Sequence, residues 1–148
     1  LVLLECAALL HEVGFGVNSK DSSRSTFDAI KQAYLYGLNE EDTALIGEIA
    51  RYGDFIEASD TGEKLPEKQR LLVDKLAAML VLADALDESR KGKITGVRLR
   101  LEPDRLVVTA SGREEPILER WAFGECAPFF ADVFGIQPVL VYKSELLS

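Results

Sequence analysis

The sequence LLECAALLHEVG, residues 3–14, predicts a buried helix that ends in a candidate metal-binding pair. Apolar residues fill most of this run, and His11, the only histidine of the chain, comes near its end. Glu12 follows directly, and Gly14 is a residue type that commonly ends a helix. Because imidazole nitrogen and carboxylate oxygen both bind zinc, iron and manganese, His11 and Glu12 are candidate metal ligands.

A second apolar run, LVLADALD at residues 80–87, supplies a natural partner for this pair. Asp84 interrupts the run, and a buried charge is costly unless it is paired or bound to a metal. Two alternatives remain open at this point. His11 could be a hydrogen-bonded structural residue, and Asp84 could cap a helix or form an ion pair with Arg90.

The composition indicates one soluble domain, or a domain with a small appendage. The chain has 148 residues, of which 47% are hydrophobic. Its formal charge of −8 disfavours nonspecific binding to nucleic acid and to anionic membranes. No apolar stretch approaches the ~20 residues that a membrane-spanning helix needs. Cys6 lies on an apolar helix face, so we expect Cys6 and Cys126 to be reduced thiols of a cytoplasmic protein. The two cysteines lack the spacing of a zinc site.

Helical spacing of apolar residues predicts four helices before residue 92. The predicted helices run to about Val13, from Ser22 or Ser23 to Gly37, from Asn39 to Gly53 and from Pro66 to about Ser89. The third helix should begin with an Asn39 cap and an acidic first turn. We expect the fourth helix to bury Leu72, Leu76, Met79, Leu80, Ala83 and Leu86.

The apolar period changes from 3.6 to 2 at Gly92. Residues 94–101 and 106–109 flank a Pro103–Asp104 turn and predict a β-hairpin. An amphipathic helix should follow from Pro116 to Phe134, and residues 139–142 predict a last strand. We expect the inward face of that helix to carry Ile117, Trp121, Phe130, Val133 and Phe134.

Three segments resemble the C-terminal half of the Ppx/GppA phosphatases, which are exopolyphosphatases and guanosine pentaphosphate phosphohydrolases. The segments are LLECAALLHEVGFGVNSKDSSRSTFDAI, LIGEIARYGDF and VDKLAAMLVLADALDESRKGKITGVRL, in this order. The resemblance implies a mainly α fold with a small α+β appendage. Residues 1–91 would form an HD-like helical domain, truncated at its N-terminus, and residues 92–148 a ββα-β subdomain. Since the chain begins with Leu1 inside a helical pattern, we expect a fragment that lacks the family's actin-like catalytic domain.

The resemblance also implies roles for the candidate metal ligands. In HD-type phosphohydrolases a His-Asp doublet and a later aspartate bind a metal that activates water. His11–Glu12 matches the doublet, with glutamate in place of aspartate, and Asp84 matches the later aspartate. Histidines common in relatives are replaced by Ser22-Ser23-Arg24-Ser25 and by Gly53. We therefore expect His11, Glu12 and Asp84 to be the remains of a metal site, with no cofactor in this fragment and Mg or Mn in the parent enzyme.

The hairpin carries a second candidate site, for phosphate. Arg98 and Arg100 alternate along one strand and share a face, and Arg105 follows the turn. The planar guanidinium group can donate two hydrogen bonds to one phosphate. The alternative is that these arginines form the solvated outer face of the hairpin.

These observations lead to one main prediction of function and two alternatives. We expect a noncatalytic domain of an exopolyphosphatase or guanosine pentaphosphate phosphatase that extends a polyphosphate channel and contributes to a homodimer. The absent actin-like domain would be its partner. The alternatives are an independent HD-type metal phosphohydrolase and a pure protein-interaction module. Nucleophilic catalysis has little support, because the chain contains no GxSxG, Walker or GxGxxG motif and no second histidine to activate a Ser or Cys.

Overall fold

The computed structural model describes residues 1–13, 22–33, 35–52 and 65–145. This part of the chain is mainly α-helical with one small sheet, which confirms the predicted fold class. A single 3-10 turn, Ala85–Asp87, directly follows the fourth helix. The elements are α1 (Val2–Leu10), α2 (Ser22–Gln32), α3 (Glu40–Arg51), α4 (Glu67–Asp84), β1 (Ile94–Leu101), β2 (Arg105–Gly112), α5 (Ile117–Phe134) and β3 (Gln137–Ser144).

The chain divides into two compact units, Leu1–Val81 and Leu82–Ser148. The division falls inside α4, whereas the predicted domain boundary lies between residues 91 and 92. That boundary stays a prediction, because compact units do not show which segments fold independently. The HD-like arrangement of the helices also stays a prediction. None of the helices in the described ranges is long and apolar enough to cross a membrane.

The core of the first unit is built around α3. Ile46 and Ile49 are fully buried, and Gly47 lies so close to the ring of Phe27 on α2 that a Cβ atom would come within 3.0 Å of it. This close approach explains a glycine in the middle of a helix, where it otherwise lowers stability. The predicted Asn39 cap is confirmed, since its side chain accepts a hydrogen bond of 2.7 Å from the N–H of Asp42.

The second unit contains a three-stranded sheet in the order β1-β2-β3. β1 and β2 form the predicted antiparallel hairpin, and β3 pairs with β2 in parallel. A parallel neighbour requires a crossover connection, which α5 supplies. At the end of the hairpin, a Cβ atom on Gly112 would lie 2.0 Å from the carbonyl oxygen of Lys93, so only glycine fits there.

One face of this sheet is covered and the other is open. Val108, Ala110 and Pro138 are buried and share a face, and α5 contacts β3. We conclude that α5 covers this face. Gly135 ends the helix in the left-handed conformation, and its N–H donates to the carbonyl of Ala131 at 2.8 Å.

The predicted inward face of α5 is partly wrong. Ile117 and Trp121 are 69% and 62% exposed. The buried stripe instead passes through Glu119, Phe123 and Phe130. Trp121 lies two residues from both Glu119 and Phe123, which is about 200° around a helix, so it points away from the core. The sequence pattern predicts an amphipathic helix. Apolar residues occur on both sides of this helix, however, so the pattern does not identify which side is buried.

Three residues of α4 that we expected to be buried are also exposed. Leu72 and Met79 are each 40% exposed, and Ala83 is exposed as well. The α4 core is formed by smaller residues, among them Val73, Ala77 and Ala78. Helix ends differ from the predictions by a few residues, since α2 ends at Gln32 and α1 at Leu10. The predicted end at Gly53 and the side chains of Ser22 and Ser23 lie outside the described residues.

Candidate functional site

The open face of the small sheet brings together all three predicted phosphate-binding arginines. Arg98 lies opposite Thr109, and Arg100 lies opposite Val107, in the antiparallel register of the hairpin. Arg105 is two residues before Val107 on the same strand and therefore shares this face. All three arginines are exposed to solvent. The register of the hairpin thus places the three arginine side chains on one face, as the sequence predicts.

Glu102, at the end of the hairpin turn, binds two of these arginines. One carboxylate oxygen lies 2.7 Å from a guanidinium nitrogen of Arg100, and the other accepts a hydrogen bond from Nε of Arg105. The hydrogen bond from Arg105 and the charges of both arginines hold the pKa of Glu102 below its ordinary value. The carboxylate is therefore ionised at neutral pH and offsets part of the positive charge.

The remainder of the open face is mixed in character. Val139 and Val141 on β3 lie beside Val107 and Thr109, and Lys143 lies beside Ser111. Glu145, just beyond β3, accepts hydrogen bonds from Thr95 and Ser111. The face thus combines a central apolar strip with four cationic side chains and two carboxylates. It is a local excess of positive charge on a chain whose formal charge is −8.

His11 directly follows α1 and is hydrogen-bonded to the helix. Its Nδ1 lies 2.8 Å from the carbonyl oxygen of Ala8. Because a carbonyl oxygen can only accept, Nδ1 must carry the proton, and Nε2 is the atom with which the neutral ring could bind a metal. The backbone carbonyl of His11 accepts a hydrogen bond from the hydroxyl of Thr26 at 3.4 Å. Glu12 is exposed.

Asp84 forms an ion pair with Arg90. The shortest distance between a carboxylate oxygen and a guanidinium nitrogen is 2.9 Å, and a second pair of atoms is 3.3 Å apart. Arg90 has a φ angle of 54°, an uncommon conformation for a residue with a side chain. The ion pair supplies the opposite charge that a half-buried carboxylate needs. The position of Asp84 in an apolar run therefore does not by itself require a metal.

No cluster of three or more His, Cys, Asp or Glu side chains that could hold a metal ion occurs among the described residues. His11 and Glu12 belong to the first compact unit, and Asp84 belongs to the second. Residues 14–21 and 53–64 lie outside the described part of the chain. The metal site of His11, Glu12 and Asp84 thus stays a prediction, and we derive no catalytic step through a metal.

Glu119 is a fully buried carboxylate in the first turn of α5. One of its oxygens accepts hydrogen bonds from the backbone N–H and the hydroxyl of Ser89, and the other has no partner in the described residues. Burial raises the pKa of Glu119, but the bonds from Ser89 and from its own N–H, with nearby Lys93, outweigh it and lower the pKa overall. Glu119 therefore fastens α5 to the segment that follows the 3-10 turn.

The Cys126 thiol and the Tyr52 hydroxyl are protonated at neutral pH. Burial, with the charges of Glu88, Asp84 and Glu125, raises the pKa of the Cys126 thiol to about 12. Burial and the neighbouring Asp74, to which its hydroxyl donates a hydrogen bond of 3.2 Å, raise the pKa of Tyr52 to about 12. A thiolate is the reactive form of cysteine, so neither group has the properties of an activated nucleophile.

The sequence analysis did not identify three charged residues, two on the open face of the sheet and one that binds α5 to Ser89. Glu102 could have been found, because a carboxylate three residues before Arg105 across a tight turn is a common ion-pair spacing. Lys143 could not, because its place beside Ser111 depends on the parallel register of β3. Glu119 could not either, since its partner Ser89 is thirty residues away in the sequence.

The family comparison matches residues 1–116 to the Ppx/GppA phosphatase, domain III. This range includes α1 to α4, the hairpin and the three arginines of the open face. No curated protein matches the chain significantly. Because the family match covers well over half of the 148 residues, the chain belongs to the Ppx/GppA phosphatase family, and its residues 1–116 correspond to domain III.

Proposed function

We propose that this chain is a noncatalytic region of an exopolyphosphatase or guanosine pentaphosphate phosphatase, and that it holds the anionic substrate. The observation that carries this proposal is the match of residues 1–116 to domain III of the Ppx/GppA phosphatases. Hydrolysis of the terminal phosphoanhydride, with Mg or Mn, would belong to an actin-like domain of the same parent protein. The parent would be a cytoplasmic homodimer.

The open face of the sheet supports a role in binding a chain of phosphates. Successive residues on one face of a strand lie roughly 7 Å apart, so Arg98 and Arg100 can contact different phosphate groups of one polyphosphate molecule. Each guanidinium can donate two hydrogen bonds to its phosphate. Because both side chains are exposed, a linear polyanion can approach them without any movement of the backbone.

The charges on this face favour an extended polyanion over a single phosphate ion. Glu102 already occupies Arg100 and Arg105, so a single phosphate gains little by competing for them. A polyphosphate chain can instead contact Arg98, Lys143 and the N–H donors of Arg100 that do not face Glu102, and each contact adds to the affinity. The binding is electrostatic and should weaken as the salt concentration rises.

The test is equilibrium binding of fluorescently labelled polyphosphate to the purified chain. We expect a Kd that increases roughly thirtyfold in Arg98→Ala/Arg100→Ala, since the loss of each arginine removes on the order of 1 kcal/mol of binding free energy and every 1.4 kcal/mol is about tenfold. The matched control is Lys91→Ala/Arg120→Ala, which removes two exposed cationic side chains that lie outside the three strands. Equal weakening in both double variants, or no binding to the unaltered chain, would contradict the proposal.

A second measurement separates binding from catalysis. We expect no phosphate release when the chain is incubated with polyphosphate, or with a simple phosphoester, in the presence of Mn2+. Release that disappears in His11→Ala would instead support an independent HD-type phosphohydrolase, with His11, Glu12 and Asp84 as its metal ligands. The Arg98→Ala/Arg100→Ala variant serves as the control, because its HD-type residues are intact.

A further inference from the structure

Glu145 places a negative charge at one end of the open face. Its carboxylate accepts a hydrogen bond of 2.7 Å from the hydroxyl of Thr95 on β1 and one of 3.3 Å from the hydroxyl of Ser111 on β2. Because Glu145 itself directly follows β3, its side chain reaches across the end of the three strands. Arg113 lies 3.9 Å from the other carboxylate oxygen and is exposed, so it offsets only part of this charge.

The arginine row of β1 stops before it reaches this end. Gly96 occupies the open-face position two residues before Arg98. A Cβ atom on Gly96 would lie 2.7 Å from the hydroxyl oxygen of Ser111, so this hydroxyl fills the place of a side chain. The position next to Arg98 therefore presents a hydroxyl, and beyond it lies the carboxylate of Glu145.

A second carboxylate stands at the other end of the row. Glu102 follows Arg100 at the hairpin turn and binds both Arg100 and Arg105. Along β1 the order on the open face is thus a carboxylate, two arginines and a carboxylate. A polyanion that followed β1 would meet a like charge at either end, which opposes binding in that direction.

Lys143 offers a favourable charge in a different direction. It is exposed, lies beside Ser111 on β3, and is two strand spacings from β1, which is roughly 10 Å. The row of Arg98 continues across the sheet through Thr109 and Val141, which carry no charge. An anion that crosses the strands can therefore pass from the arginines of β1 to Lys143.

We propose that Glu102 and Glu145 set the direction of the bound polyanion, which crosses the strands from Arg98 and Arg100 to Lys143 instead of following β1. This inference rests on the proposed function, since it concerns the polyphosphate that the open face would hold. It makes Glu145 a residue that determines specificity for chain length. Because the sheet is three strands wide, a short polyphosphate already occupies the crossing path.

The first test is competition of tripolyphosphate with labelled long-chain polyphosphate for the full chain. We expect Lys143→Ala to raise the inhibition constant of tripolyphosphate roughly threefold, the size expected for the loss of one exposed charge. A short anion that lay along β1 would not contact Lys143. Lys91→Ala removes an exposed cation outside the three strands and should leave the constant unchanged.

The second test opens the end of the face. Glu145→Gln keeps an oxygen that can accept from Thr95 and Ser111, but it removes the negative charge and leaves Arg113 without this ion pair. We expect the affinity for long-chain polyphosphate to rise roughly threefold more than the affinity for tripolyphosphate, because a long chain can extend past the end toward Arg113. Glu125→Gln, the same change on the exposed side of α5, should leave the ratio of the two affinities unchanged.

The outcomes separate the direction of binding from binding itself. Tripolyphosphate binding that ignores Lys143→Ala, or an equal gain for both anions in Glu145→Gln, would overturn the proposed direction and leave the polyphosphate site in place. If neither anion bound the unaltered chain, the proposed function and this inference would both be wrong.

Discussion

The two faces of the small sheet differ in almost every property, although the same three strands form both. On the covered face Val108 and Ala110 are buried beneath α5. On the open face the adjacent residue, Thr109, lies between Arg98 and Val141. A one-residue step along β2 thus separates the hydrophobic core of this unit from its most cationic surface.

The covered face therefore contributes to the stability of the sheet, whereas the polyphosphate contacts that we propose lie on the open face. Burial on the covered face fixes the strand register, because a slip by one residue would exchange the two sets of side chains. Once the register is fixed, the arginines of the open face are held in line without any direct contribution to the core. Changes on the covered face should therefore alter stability, and changes on the open face should alter binding.

The largest effect should follow from removing the carboxylate of Glu119, which binds α5 to Ser89. Glu119→Ala leaves the N–H and hydroxyl of Ser89 without their buried partner and creates a cavity. We expect the free energy of unfolding to fall by about 3 kcal/mol, measured by urea denaturation. Glu125→Ala on the exposed side of α5 is the control. A loss as small as that of the control would mean that Ser89 and Glu119 do not hold the helix in place.

The same substitution on opposite faces of the sheet gives the most direct test of the comparison. Val108→Ala should lower the free energy of unfolding by about 2 kcal/mol, because this side chain is fully buried beneath α5. Val141→Ala on the open face should cost less than about 0.5 kcal/mol. Equal losses in thermal denaturation would show that the open face is also covered in solution.

The pH dependence of stability should reflect the buried carboxylate of Glu119. Its pKa is lowered in the folded protein, so the stability it contributes is present above the unfolded-chain pKa of about 4.3 and is lost as the pH falls through the folded value. We expect the unaltered protein to lose more stability below pH ~4 than Glu119→Gln does. Parallel pH profiles of the two proteins, measured by denaturant unfolding, would exclude this contribution.

The smallest effect concerns the carboxylate on the open face. Glu102→Gln removes the negative charge that is bound to Arg100 and Arg105. We expect polyphosphate affinity to rise by roughly threefold, with little change in stability, because exposed ion pairs contribute little. Asp132→Asn, an exposed charge removal on α5, should leave the affinity unchanged. An unchanged or lower affinity in Glu102→Gln would argue against the open face as the polyanion site.

The fold was largely predictable because its signals are local. The change of apolar period at Gly92 marks the transition from helices to strands, and the Asn39 cap is formed by residues within one turn. The alternation of Arg98 and Arg100 likewise predicts that they share a face, since side chains alternate along any strand. Burial was predicted less well, as Trp121 and Met79 show, because an amphipathic pattern does not identify which neighbour will cover a residue.

For the candidate site, too, the features that depend on local sequence were predicted, and those that depend on tertiary contacts were not. The sequence by itself determined the family, because three segments match it in order along the chain. It also predicted the arginine row and, as one alternative, the ion pair between Asp84 and Arg90, because each of these depends on residues close together in the chain. Only the tertiary structure decided that Lys143 lies on the arginine face and that Glu119 binds Ser89. Both depend on contacts between residues distant in sequence, and such contacts are set by the packing of whole elements.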